Sequence, residues 1–220
     1  MSGPRISPLG DSAITVTLGE GISEELSERV VGQADAISAA RIGGVTDVVP
    51  SYAALAVYYN PLTIEYADLH REILAAVEAI AVPPGESASR RRAERLHRIA
   101  VRYDGEDLEE VARLAKLSVE DVIRIHTVSE YRVFVIGFVP GFAYLGPLDS
   151  RLALPRRESP RKRVPEGAVA IAERQTGIYP SATPGGWHLI GSTDQRMFDP
   201  ERDPPALLEA GDRVRFEVVM

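Results

Sequence analysis

Cysteine is absent from the 220 residues. Disulfides, thiolate nucleophiles and cysteine zinc sites are therefore excluded together. Histidine is scarce, with only His70, His97, His126 and His188, and their scatter predicts no metal site. No apolar run approaches the roughly 20 residues of a membrane span. No signal-peptide pattern precedes Pro4-Arg5-Ile6-Ser7, so a soluble cytoplasmic protein without membrane contact is expected. Positive charge is not in excess either: the formal net charge of −7 argues against general nucleic-acid binding. Phosphate loops of the GxxxxGK type, GxGxxG runs, HExxH motifs and GxSxG elbows are all missing. Ser159-Pro160-Arg161-Lys162 fits an SxxK pattern, but the SDN and KTG partners that make it catalytic do not occur. The chain thus holds no self-contained phosphate-binding or nucleophile module.

A hydrophobic content of 45% beside 26% charged residues is ordinary for a globular chain long enough to bury one large core or two small ones. Residues 4–18 read as two short strands around Pro8-Leu9-Gly10-Asp11, with Ile14, Val16 and Leu18 alternating with threonines. Helical spacing runs from Ile22 to about Ala40 through Leu26, Val30 and Ala34, and Gly43-Gly44 is expected to end it. Val45–Val49 and Ala53–Tyr59 read as strands meeting at Pro50-Ser51. A second helix after Pro61 turns Leu69, Ile73, Ala76, Val77 and Ile80 inward. Strands, helix, strand pair and helix together predict an α+β sandwich over residues 1–83. Residues 84–98, rich in arginine and bounded by prolines, glycine and serines, read as a linker that includes His97, its Arg90, Arg91, Arg92, Arg95 and Arg98 either solvated or able to bind an anion. From 99 to 220 a mostly β unit is expected. It has a strand Ile99–Tyr103, a helix through Leu108, Val111, Ala112, Leu114 and Ala115, and a helix capped by Ser118. Strands Tyr131–Phe138 and Arg213–Val218 complete the pattern.

Between Phe134 and Thr193, glycine, proline, arginine and aromatics crowd together, which excludes long helices and leaves short strands with shaped loops. Arg156, Arg157, Arg161, Lys162 and Arg163 alternate with Pro155, Pro160 and Pro165. Such a stiffened loop suits a carboxylate or phosphate; it equally suits a solvated loop balancing an acidic surface. Gln175, Thr176 and Tyr179 offer an amide, a hydroxyl and a phenol around Gly177, which fits a lactam, ureido or carboxylate group or simply a self-satisfied hairpin. Pro184-Gly185-Gly186-Trp187 brings a tight turn beside the only tryptophan, which either packs in the core or walls a site with Phe138, Phe142 and Tyr144 opposite. His188 follows Trp187, and strand alternation turns one of the two away. His126 lies on the face of Val122 and closes its helix, either as a packed core residue or as a base favoured by the helix C-terminal dipole.

The runs GFVPGFAYLG, LPRRESPRKRVP, VAIAERQTGIYP and PGGWHLIG, flanked by PLGDSAITVTLG and LLEAGDRVRF, resemble a carboxyltransferase-domain-like family. It is known as the 5-oxoprolinase B-subunit family, as KipI-like or as allophanate hydrolase subunit 1, and the likeness spans nearly the whole chain. It departs at Glu173, where VAIAGRQTG has glycine, and at Ser192, where IGRT has arginine. The segment YDGEDLEEVA is also shorter than YGGEYGPDLEEVA. These differences bear on substrate more than on fold. The resemblance implies a ferredoxin-like N-terminal sandwich followed by a cyclophilin-like β-barrel. It implies a component of an ATP-dependent 5-oxoprolinase, opening 5-oxoproline to glutamate with C and A subunits. ATP, with magnesium, would be shared with a partner; no AMKM biotin-attachment motif occurs, so no biotin is expected on this chain. Arg156 and Arg161, matching the family's PR…PR pattern, are implied to hold a carboxylate or phosphate, with Phe138, Phe142, Thr176, Gly185, Gly186 and Trp187 also at the substrate and His126, Gln175 and Tyr179 at the chemistry. The alternatives the family implies are a KipI-like inhibitor of histidine kinase autophosphorylation and a fragment of a urea carboxylase or allophanate system.

Overall fold

A computed structural model describes residues 4–79 and 95–219. The chain divides into two compact units, Met1–Glu94 and Arg95–Met220. Ile80, Arg90, Arg91 and Arg92, with most of the expected linker, lie outside the described residues.

In the first unit, β1 (Arg5–Pro8), β2 (Ala13–Thr17), β3 (Val45–Pro50) and β4 (Ala54–Tyr59) form an antiparallel sheet in the order β1-β2-β4-β3. Ile14 opposes Val57 and Val16 opposes Leu55, so period 2 puts four fully buried apolar side chains on one face. Helices α1 (Glu24–Ala39) and α2 (Tyr66–Glu78) cover it with Val30, Ile37, Leu69 and Ile73. Ser23 caps α1 by accepting from the Leu26 amide at 3.2 Å. The expected glycine stop is not what ends α1: the helix finishes at Ala39, and the left-handed residue just beyond it is Arg41 (φ +47). Gly44 takes its own positive φ later, ahead of β3.

The second unit contains α3 (Leu108–Ala115), α4 (Val119–Val128) and strands β5 (Leu96–Val101), β6 (Glu130–Ile136), β7 (Ala143–Gly146), β8 (Arg161–Val164), β9 (Ala168–Ala172), β10 (Gln175–Ile178), β11 (Thr183–Gly185), β12 (His188–Ser192) and β13 (Arg213–Val218). Seven strands form one sheet in the order β12-β9-β10-β7-β6-β13-β5, and β8 pairs with β11 separately. The two edges of the large sheet meet: the Arg102 amide donates to Ser192 O at 2.9 Å, and the Ser192 amide returns a bond to Arg102 O at 2.7 Å. The sheet curls into a half-barrel whose two edges this single bridge ties together, which leaves no free edge at that point. Gly191 permits it, because a Cβ there would stand 2.5 Å from Arg102 O.

His97 and Arg98 are not linker residues. They belong to β5, which starts at Leu96 because it pairs in parallel with β13, His97 beside Val214 and Ile99 beside Phe216. Leu114, expected inward, is 42% exposed, since the buried stripe of α3 is Leu108, Val111 and Ala112. Strand β6 stops at Ile136, two residues short of the expected Phe138. Ser118 caps α4 as expected, accepting from the Asp121 amide at 3.1 Å. No helix among the described residues is long and apolar enough to cross a membrane.

Candidate functional site

One pair of strands sorts the predicted site residues onto two faces. β9 reads Ala168-Val169-Ala170-Ile171-Ala172, so its alanines share one face and Val169 and Ile171 the other. In the β9–β10 hairpin Gln175 opposes Ala172, Thr176 opposes Ile171 and Gly177 opposes Ala170. Gln175 therefore sits on the alanine face. Thr176, its neighbour in sequence, sits on the opposite face within the core shared with α3 and α4.

Thr176 meets His126 there. Thr176 Oγ1 lies 3.0 Å from Ala170 O and 2.8 Å from His126 Nε2, and His126 Nδ1 lies 2.6 Å from the Tyr103 hydroxyl. A carbonyl only accepts, so Thr176 donates to Ala170, His126 Nε2–H donates to Thr176, and Tyr103 O–H donates to Nδ1. The ring also stacks on Phe216 at 4.4 Å between centroids. His126 is completely buried, and that burial pulls its pKa down to about 3. The imidazole is neutral, so the helix dipole, which favours a cation, contributes nothing here. Of the two readings open in the sequence, the structure shows the packed core residue: both nitrogens are engaged and no edge of the ring faces solvent. Thr176 shares that interior, away from the other predicted substrate residues.

The alanine face leaves room for large side chains brought by the loops. Phe142 contacts Tyr144, Tyr179 and Trp187 edge-on, with centroids 4.9, 5.2 and 5.6 Å away. This edge-to-face layer sets ring hydrogens against neighbouring π faces. Tyr179 is 2% exposed, and burial raises its phenol pKa; the Trp187 amide bonds its oxygen and opposes the shift. The hydroxyl is thus a neutral donor rather than a base. Gly185 is required behind it, because a Cβ there would lie 2.3 Å from the Tyr179 oxygen. Phe138 stands at the rim, 61% exposed, with φ +71 and its ring against Phe142. Such a left-handed aromatic residue is a strained position of the kind found at functional sites. Trp187 joins this layer while His188, one residue on, opposes Ile171 and donates from Nε2 to Pro155 O at 2.9 Å. Gly186 carries the chain past Pro160 and accepts from the Arg157 amide through its carbonyl.

The two favoured arginines differ. Arg156 is 58% exposed, pairs with Glu173 at 3.7 Å, and lies close enough to Tyr144 and Tyr179 to oppose the burial shift of both. Arg161 is tied down by Asp107, with Nη2 2.7 Å from Oδ1 and 3.3 Å from Glu106 Oε2. Arg157 donates to the same Asp107 oxygen from Nη1 at 2.7 Å. Asp107 Oδ2 accepts from the Leu189 amide at 2.7 Å. Burial raises the Asp107 pKa, but Arg161, the Leu189 amide and Arg157 outweigh it and hold the carboxyl below its usual range. Sequence reasoning names Arg157 only as a member of the arginine cluster and passes over Asp107. The available signal is an aspartate opening a helix, which normally reads as a cap; this one makes no capping bond.

For a phosphate the fit is poor at the helix starts. Every α-helix among the described residues has acidic residues in its first turn: Glu24 and Glu25, Asp68, Glu109 and Glu110, and Glu120 and Asp121. These repel an anion where the backbone would otherwise attract one. Arg156, Lys162 and Arg163 are exposed cations of the arginine loop and β8. Among the described residues no three metal-binding side chains converge.

Comparison with known proteins agrees with this architecture. Residues 4–208 match the carboxyltransferase domain family, subdomain C and D. The chain belongs to that family. Within the carboxyltransferase-domain family it is 41% identical to the B subunit of 5-oxoprolinase from Bacillus subtilis (strain 168), over 96% of this chain and 91% of that protein. It is 37% identical to the protein of the same name from Escherichia coli O157:H7, over 98% and 96%. The crystal structure of TTHA0988 superposes with a TM-score of 0.83 at 42% identity; the match covers 94% of this chain and about two fifths of that one (40%). Kluyveromyces lactis urea carboxylase shares the fold alone, at 19% identity and a TM-score of 0.77.

The departures from the family pattern have visible settings. Glu173 occupies the first position of the two-residue β9–β10 turn with φ +54, a conformation suited to the glycine usual there. Ser192, in place of arginine, donates to the Asp104 carboxylate at 2.8 Å. The shortened loop before α3 lays Gly105 directly on the β12 backbone, where a Cβ would meet Leu189 O at 2.3 Å.

Proposed function

We propose that this chain is the B component of an ATP-dependent 5-oxoprolinase, converting 5-oxo-L-proline, ATP and water to L-glutamate, ADP and phosphate together with C and A subunits. The observation that carries the reading is the near full-length identity to two proteins of that name. Chemistry on the alanine face supports it. A cyclic amide presents a carbonyl acceptor, an N–H donor and a carboxylate within a few ångströms, and a flat apolar ring. The aromatic layer suits the ring, and the Gln175 amide offers both a donor and an acceptor. Arg156 offers an exposed guanidinium fork for the carboxylate, with Arg161 behind it.

An amide is a poor electrophile. Transfer of the ATP γ-phosphoryl group to its oxygen makes the ring carbon electrophilic. One water adds there, the C–N bond breaks to leave a free amine and an acyl phosphate, and a second water releases phosphate and the new carboxylate. In this reading ATP, with its magnesium, is shared with a partner protein, and this chain's residues bind and orient the lactam. Tyr179, held neutral, donates toward a developing negative charge or buttresses the layer. His126 and Thr176 act from behind β10, holding the strand that presents Gln175.

The test is release of ADP and glutamate from 5-oxoproline and ATP by the chain alone, with a C subunit, and with both C and A subunits. Activity in the full mixture, lost about tenfold or more in the double variant Arg156→Ala/Gln175→Ala, is expected from removing a charge-assisted pair. Full activity of that variant would sink the site assignment. No activity in any mixture, despite a stable complex, would point to another amide substrate.

A further inference from the structure

We propose that Asp107 is a positioning residue of this site, holding the planes of Arg161 and Arg157 for a carboxylate ligand. This rests on the substrate-binding reading of the arginine loop.

Asp107 stands where a helix cap is expected, at the start of α3, yet its carboxylate makes no bond to the α3 amides. It turns across to a different part of the unit. Oδ2 takes the Leu189 amide of β12, and Oδ1 takes one N–H from each of Arg157 and Arg161, all at 2.7 Å. The residue is 3% exposed. A buried carboxylate left unpaired is costly, so this one is bound to its three partners, and they to it. Glu106 and Glu110 also approach the two arginines, but both are substantially exposed and screened.

The consequence is geometric. A long guanidinium side chain loses rotamer freedom when it binds, and a carboxylate that has already fixed its plane removes that cost at the moment of binding. Arg161 opposes Gly185 in the β8–β11 pair, and Gly185 backs the Tyr179 hydroxyl. The fixed guanidinium therefore borders the aromatic layer. Arg161 Nη1 and Arg157 Nε are buried donors with no acceptor among the described residues. They are buried N–H groups that Asp107 does not use and that an oxyanion can take.

The test uses Asp107→Asn in the reconstituted complex. Its amide oxygen still accepts from Leu189, so the hold on β12 survives while the charge that orders the arginines is gone. KM for 5-oxoproline is expected to rise about tenfold or more, with kcat changed less, as loss of a charge-assisted contact to substrate predicts. Arg161→Ala should raise KM similarly, and adding Asp107→Asn to it should change KM less than about twofold, because the two act as a unit. An unchanged KM in Asp107→Asn, with Arg161→Ala impaired, overturns the positioning role while leaving the site reading intact. Additive effects overturn it too, since Asp107 would then act by another route. An unchanged KM in Arg161→Ala overturns the site reading itself. Thermal unfolding of each variant shows whether it is folded. Should Asp107→Asn fail to fold, Asp107→Glu, which moves the carboxylate by one methylene, is read by the same rise in KM and refuted by its absence.

Discussion

His126 makes the protein sensitive to mild acid, and the size of the effect follows from its burial. A histidine in the unfolded chain titrates near its ordinary value of 6.5, whereas this one is pulled to about 3 by burial alone. Above pH 6.5 neither state is protonated, and the residue imposes no penalty. Between the two values only the unfolded chain takes the proton, so stability falls by about 1.4 kcal/mol for each unit of acidification. The loss is about 2 kcal/mol at pH 5 and about 4–5 kcal/mol near pH 3, where both states are charged and the decline ends. Glutamine at this position keeps one donor and one acceptor but cannot titrate. The assay is urea unfolding of the native chain and of His126→Gln at pH 7.5 and pH 5. The native chain should lose about 2 kcal/mol more than the variant over that interval. Asp107, Asp121 and Asp149, all held below the usual carboxylate range, weaken the fold at lower pH. They are common to both proteins and cancel in the difference. Equal losses in the two proteins would show that His126 is not a neutral, enclosed ring in the native state, and the core assignment would fall with it.

Two further perturbations probe the alanine face. Glu173→Gly relieves a left-handed side chain costing about 1–2 kcal/mol and adds back roughly 0.5–1 kcal/mol of chain entropy. A net gain of about 0.5–1 kcal/mol in urea unfolding is expected from the difference, and a loss would mean that the contact with Arg156 outweighs the strain. Gly185→Ala puts a methyl 2.3 Å from the Tyr179 oxygen. It should destabilise by about 1–3 kcal/mol and shift the emission of Trp187, the only tryptophan; an unchanged spectrum and midpoint would refute that packing.

What can be read in the sequence is largely local. The alternation in Arg213–Val218 and the helical spacing through Leu26, Val30 and Ala34 predict elements that the structure shows, as does the Ser118 cap. The parallel pairing of β5 with β13 and the closure of Arg102 on Ser192 join residues about a hundred positions apart, and no periodicity records such a contact. That is why the sequence reading starts β5 three residues late and assigns His97 to a linker. In the site, the opposition of Trp187 and His188 follows from strand alternation, and the structure bears it out. The same rule, applied to Gln175 and Thr176, separates them. Asp107 is hidden because an acidic residue at a helix start already has an ordinary explanation, and only the fold shows the carboxylate turned elsewhere.

The short turn at Glu173-Arg174 carries a consequence for how relatives of this chain can vary. Because adjacent residues of β10 serve opposite sides of the barrel wall, the turn sets the phase of the strand as well as reversing the chain. A substitution there changes local strain and little else. A gain or loss of a single residue that propagated into β10 would present Thr176 to the rings and drive the Gln175 amide among Ile171, Leu145 and Phe216, reversing inside and outside along the strand. The hairpin is therefore free in composition and constrained in parity: insertions that preserve the site must come in pairs or be absorbed by a bulge.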